Sequence, residues 1–195
     1  MRVFIAVLVL IFSLQSWTKA NDISEFLVEG IGVNESALNF FDKNYIDSKG
    51  SSKGYKSKKF KYATLKSDKF EMYDDIQIHY LKNDDDYKIH SISANVDFPK
   101  NISKCLKLKS QVNSEIKSLF SNSDETDWGK RVLDNVDPTL ETYAYQNIYW
   151  LDGGNIILSC RDYGITMENK GHVDYFAIMI DNKFFEEWIN NEAYK

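Results

Sequence analysis

Three histidines, two cysteines and a surplus of carboxylates are the residues of this 195-residue chain from which chemistry could be built. His79 and His90 flank a polar run, residues 83–86, inside a segment that alternates like the two arms of a hairpin. A turn centred between Asp84 and Asp85 sets Tyr80 opposite Ile89 and His79 directly opposite His90. Two opposed imidazoles supply two nitrogens to a zinc or copper ion, and an aspartate or glutamate from elsewhere would have to complete the set. A slip of one residue separates the pair. Solvated or hydrogen-bonded histidines are the commoner outcome, so no metal is assigned. The acid run lacks the turn glycine and the later bidentate glutamate of a calcium loop, and reads as a polar hairpin tip.

Cys105 and Cys160 have neither Cys-x-x-Cys spacing nor a cationic setting that would lower a thiol pKa. In an exported chain, two cysteines most simply form one bridge. No Gly-x-Ser-x-Gly elbow, phosphate-binding glycine loop, dinucleotide fingerprint or His-Glu-x-x-His zinc helix occurs, and no cofactor is implied. Nothing places a serine or a reactive cysteine beside His79, His90 or His172, so no catalytic residue is assigned. Paired carboxylates from distant strands would suit glycoside hydrolysis, although abundant acids are usually just solvated.

The elements that must position these residues start after a leader. Arg2, the apolar run from Val3 to Leu14 and small residues Thr18 and Ala20 read as a signal peptide, residues 1–20, cleaved after Ala20. The run is too short for a confident membrane span, and no later segment is apolar enough to be one. Without Arg2 and Lys19 the chain has 22 basic and 29 acidic side chains, a net charge of −7. That charge opposes nucleic-acid binding. Residues 21–195 suffice for a single domain.

The clearest helix spans Asn101 to Phe120, where Cys105, Leu108, Val112, Ile116 and Leu119 form an apolar stripe and Asn101 or Ser103 caps the start. Upstream, Asn34 is expected to cap a short helix with the stripe Leu38, Phe41 and Tyr45, after a break at Gly30 and Gly32. Strands are expected over Phe60 to Lys66, Phe70 to Lys82 and Tyr87 to Phe98. A second set covers Glu141 to Leu151, Asn155 to Asp162 and His172 to Asp181. Asp152 and Gly153 make a two-residue turn that sets Ile156, Leu158 and Cys160 opposite Tyr149, Asn147 and Tyr145. A final helix, capped by Asp181, carries Phe184, Phe185, Trp188 and Ile189. These elements give an α+β fold: a mainly antiparallel sheet with helices packed on one face, a duplicated αβββ order and a closing C-terminal helix. The lysines of residues 47–61 suit an anion-binding patch but better suit the protection of an edge strand. The polar stretch from Asn122 to Pro138 reads as the longest connection, with Trp128 a lid over the core or a recognition anchor. The Asn-x-Ser sites at Asn34 and Asn101 matter only where a secretory pathway glycosylates.

The run Asp22-Ile23-x-x-Phe26-x-Val28-Glu29-Gly30-Ile31, followed by Val33 and Ser36, resembles the opening of a group of uncharacterised exported proteins, chiefly of marine alphaproteobacteria. The lysine-rich helix with Cys105 and the aromatic end from Trp188 to Tyr194 extend the resemblance over most of residues 21–195. It implies export to the periplasm or beyond and carries no activity. A looser likeness joins Gly30-Ile31-x-Val33-x-x-Ser36 to envelope modules of the SmpA and BamE type.

Tyr143, Tyr145, Tyr149, Tyr163 and Tyr175 exceed what a core needs, and tyrosine suits recognition surfaces. The expected function is therefore a non-catalytic exported binding module for an envelope protein or small ligand, with Tyr143, Tyr145 and Trp128 as its recognition surface. A hydrolase using dispersed acids and a purely structural envelope component are the alternatives.

Overall fold

The computed structural model describes residues 22–121, 123–134 and 136–195; the expected signal peptide lies outside the described residues. The fold is α+β and mostly sheet, with a closing C-terminal helix, as the sequence indicates. Strands β1 (Gly50–Ser51), β2 (Phe60–Leu65), β3 (Asp75–Leu81) and β4 (Ser91–Asp97) form one meander. Strands β5 (Asp124–Val132), β6 (Tyr143–Leu151), β7 (Gly154–Asp162) and β8 (Tyr175–Asn182) form another. The two join through β4 and β8 into one antiparallel sheet of order β1-β2-β3-β4-β8-β7-β6-β5. Each meander follows a helix, α1 (Lys43–Lys49) or α2 (Ile102–Leu119). The repeated unit thus has a fourth strand that sequence patterning missed. β1 is only two residues long, and β5 is polar on both sides.

Packing explains α2. Cys105, Val112 and Ile116 are buried, and Asn101 Oδ1 accepts the Lys104 N–H at 3.3 Å. Cys105 and Cys160 form a disulfide, Cα to Cα 5.9 Å, that fastens α2 to β7. The β6–β7 hairpin has the expected register: Leu151 pairs with Gly154, Tyr149 with Ile156, and Tyr145 with Cys160. Gly153 supplies the positive φ of +86° that the turn requires. A Cβ on Gly154 would meet the Asp181 carbonyl oxygen at 1.9 Å, so only glycine lets β8 pass so close.

The N-terminal segment differs from expectation. Asn34 is not a helix cap: its φ is +71°, its N–H donates to the Ile89 carbonyl at 2.7 Å, and its Oδ1 accepts from Asn182 at 2.9 Å. Ser36 caps a 3-10 turn at Ala37–Asn39, and Asp42 caps α1. Glu29 ties the same segment down, its carboxylate accepting the backbone N–H groups of Glu71, Met72 and Tyr73. The core between the sheet and α2 collects Ile23, Ile31, Val33 and Ile46 along with Ile78, Ile92, Ile178 and Leu158.

A short helix α3 (Ile165–Glu168) precedes β8, and helix α4 (Lys183–Asn191) follows it. The cap of α4 is Asn182, whose Oδ1 accepts the Phe185 N–H at 3.0 Å. Asp181, the expected cap, is the preceding residue of β8 and is buried. Ile78 and His79 point to opposite faces, as successive strand residues must. Ile78 joins the core under α1 and α2, while the His79 ring lies 4.6 Å from that of Phe185. The closing helix therefore covers the face opposite α1 and α2, because its stripe of Phe185 and Trp188 has its own apolar partner in Phe60. The disulfide closes a loop between positions 55 residues apart. Its reduction is expected to lower the unfolding free energy by about 4 kcal/mol on chain-entropy grounds, checked by urea denaturation with and without reductant.

Candidate functional site

Strand alternation divides the sheet chemically. The α2 side is apolar across β3, β4 and β8 and turns polar only toward β5 and β6, where Asn147 and Glu125 meet lysines of α2. The α4 side carries Tyr62, His79, Ser91, Asp181 and Asn155 in one cross-strand row, then Gln77, Ser93, Met179 and Ile157 in the next. Asn95, Ala177 and Ser159 follow, and then Asp97, Tyr175 and Arg161. This face is thus the more polar of the two.

Beneath α4 the polar groups are sealed. His79 Nε2 lies 3.0 Å from the Tyr55 hydroxyl, and its Nδ1 is buried without a partner. Burial lowers the His79 pKa to about 3, so the ring is neutral. His90 accompanies Phe60 and Phe184 and lies 3.1 Å from Asn182 Nδ2 through its Nδ1; burial is also the first cause of its lowered pKa. The two histidines are not directly opposed. His79 pairs with Ser91, while the His90 N–H donates to the His79 carbonyl at 2.8 Å. The slip arises because the connection is longer than a two-residue turn. Asp84 accepts the N–H groups of Asp86 and Lys88, and Tyr87 has φ +50°. Among the described residues no three His, Cys, Asp or Glu side chains are grouped to hold a metal ion.

At the far end of the same face stands Arg161. Its guanidinium lies 5.4 Å from the ring centroid of Tyr175 and 5.9 Å from that of Tyr163. Nη1 donates to the Tyr163 hydroxyl at 3.4 Å, and Nε is buried with no partner. Among the described residues no carboxylate lies within ion-pair distance of it. Burial pushes the Tyr175 hydroxyl up to about 12, against the pull of Arg161. Burial likewise raises Tyr194, with the charge of Arg161 opposing. Tyr163 stacks on His172 at 4.9 Å, and Tyr194, 58% exposed, touches Tyr55 at 5.7 Å. A cation held among tyrosine rings and lacking a carboxylate is equipped to receive an anion.

The residues anticipated for recognition lie elsewhere. Tyr143 and Tyr145 sit on β6 on the α2 side, and Lys130 of β5 stands over both rings, 3.6 and 5.8 Å away. Trp128 is not in a loop: it occupies a bulge of the edge strand β5, 44% exposed, with Arg131 over its ring at 4.2 Å. The stretch looked like a connection because it has no apolar alternation, and pairing with β6 supplies its hydrogen bonds instead. Among the lysines of residues 47–61, Lys58 and Lys59 are engaged. Lys59 pairs with Glu192 at 3.6 Å, and Lys58 donates to the Ser52 carbonyl at 3.0 Å and also to that of Tyr55. Arg161 itself was missed. It is one of two arginines after residue 20, and its spacing of one from Cys160 places it on the side away from the disulfide.

Compared with family models, with curated proteins and with solved structures, the chain matches none.

The buried polar end makes a pH prediction. Burial raises the Asp181 carboxyl from 3.8 to about 6, with the Ser91 hydrogen bond opposing. Between those values the folded state holds the extra proton, so this residue's contribution to stability falls as pH rises and is lost above about 6. His79 acts in reverse: from its ordinary value near 6.5 down to about 3, the unfolded state takes the proton and stability falls on acidification. The two slopes oppose each other between pH 4 and 6 in wild type. Asp181→Asn is expected to raise stability at pH 7 by about 3 kcal/mol at most, and to expose a steeper loss from pH 6 to 4. Urea titrations at stepped pH check both.

Proposed function

We propose that this chain is a non-catalytic exported binding protein that takes up an anionic ligand on the α4 side of its sheet. One observation carries the reading. Arg161 is partly buried among tyrosines with a donor that nothing in the fold satisfies, and an unsatisfied buried donor of this kind costs about 1–3 kcal/mol. A ligand that pairs with it recovers that cost. The disulfide accords with an oxidising compartment, and no helix among the described residues is long and apolar enough to cross a membrane. The sequence resemblance to exported bacterial proteins points to the periplasm or the medium.

The second reading, hydrolysis by dispersed acids, has Asp97 as its best support. Burial first, then Asp74 and Asp75, hold its carboxyl above the ordinary range. The carboxylates beside it, Asp74 and Asp75, come from the adjoining strand end and not from a facing wall, whereas glycoside hydrolysis sets its pair on either side of the scissile bond, so binding is preferred.

Native mass spectrometry of the mature, oxidised protein after exposure to an envelope extract tests the proposal. A discrete adduct at one per chain, lost or at least tenfold weaker in Arg161→Gln, is expected. An adduct unaffected by that substitution, or none at all where a control binder retains its ligand, would overturn it.

A further inference from the structure

The same site restricts the class of ligand, an inference that rests on the binding reading above. Of the guanidinium donors, Nη1 is engaged by Tyr163, whereas Nε is unpartnered. Nε and Nη2 form the side-on edge of an arginine, two parallel N–H groups whose spacing matches the two oxygens of a carboxylate. Nη2 has no hydrogen bond within the described residues either.

The surroundings favour a single negative charge over a double one. Asp97 shares the cross-strand row of Arg161, two strands away. A single cation with Asp97 on the same face pairs better with a monoanion than with a dianionic phosphate. The chain's net charge adds to that preference.

The rest of the face suits an apolar body. Ser159 and Ala177, one row in from Arg161, are already covered and offer a ligand no contact of their own. Beyond them Ile157 and Met179 are partly buried on the same face. Arg161 and Ile157 are four residues apart on one strand, about 13 Å, and Tyr194 with Tyr55 borders this path. We propose that this face binds a monocarboxylate with an apolar body. Its carboxylate lies on the Nε–Nη2 edge of Arg161, and its body reaches past the covered Ser159 and Ala177 to Ile157 and Met179, beside Tyr194.

Titration calorimetry of the mature, oxidised protein tests this with decanoate below its micelle threshold, N-acetylphenylalanine, acetate and inorganic phosphate. Binding of decanoate or N-acetylphenylalanine is expected, at least tenfold weaker in Arg161→Gln, and weakened in Arg161→Lys, which keeps the charge but loses the edge. Acetate and phosphate are expected to bind at least tenfold more weakly than either. Tighter binding of decanoate indicates a lipid-type carboxylate; tighter binding of N-acetylphenylalanine indicates a peptide terminus. Phosphate binding with both amphipathic carboxylates silent would overturn the class of ligand. Carboxylate binding unchanged in both folded variants would overturn the placement, and the absence of all binding would overturn the inference. An Arg161-dependent adduct from the envelope extract, alongside such a failure, would leave the binding reading standing while removing this ligand class.

Discussion

The pairing of β4 with β8 is the constraint on which the rest depends. Seven consecutive residue pairs, from Ser91 with Asp181 to Asp97 with Tyr175, join two separate meanders into one continuous sheet. That junction sets the parity of every strand. Ala94, Ile92, Ile178 and Ile180 are turned toward α2, and Ser91, Ser93, Asp181 and Met179 away from it. A shift of one residue at this seam would invert the far meander relative to the near one, carrying Cys160 away from Cys105 and Arg161 into the core. The disulfide and the site are thus two consequences of one register.

The two faces are stabilised differently, and the difference bears on function. On the α2 side, apolar burial and a covalent tie leave little room for rearrangement. On the other, α4 seals only the end with His79, Asn155 and Asp181, and it does so with buried polar groups that are incompletely satisfied. Such groups lower stability and persist where some other requirement holds them. At the opposite end the unsatisfied group is a cation, and the rings around it include one that is mostly solvent-exposed.

How much of this was legible in the sequence varied with the kind of signal. The β6–β7 register was readable because Asp152-Gly153 permits essentially one tight turn, and α2 because its stripe includes a cysteine. The β3–β4 register failed by one residue. Asp84 organises a wider loop through side chain to backbone bonds, and the Ser36–Lys88 bridge draws the loop toward the N-terminal segment. Asn34 looked like a cap because asparagine suits both caps and left-handed turns. The tyrosines were recognised as numerous, but their partners decide their role. Tyr143 and Tyr145 are occupied by Lys130 on the α2 side, whereas Tyr163 and Tyr175 gather around an arginine on the other. Which rings share a face with a cation depends on strand parity across the whole sheet, and local pattern does not contain that.

The most direct measurement of the central claim, that the polar face and not the α2 face or the β5 edge receives ligand, is a chemical-shift map of the oxidised protein. The Arg161 Nε–H resonance and the backbone amides would be followed while decanoate is added. The account predicts movement of the Arg161 signal together with amides of β7, β8 and the residues around Tyr194, with α2 and β5 unmoved. Shifts confined to β5 around Trp128, or to α2, would contradict it.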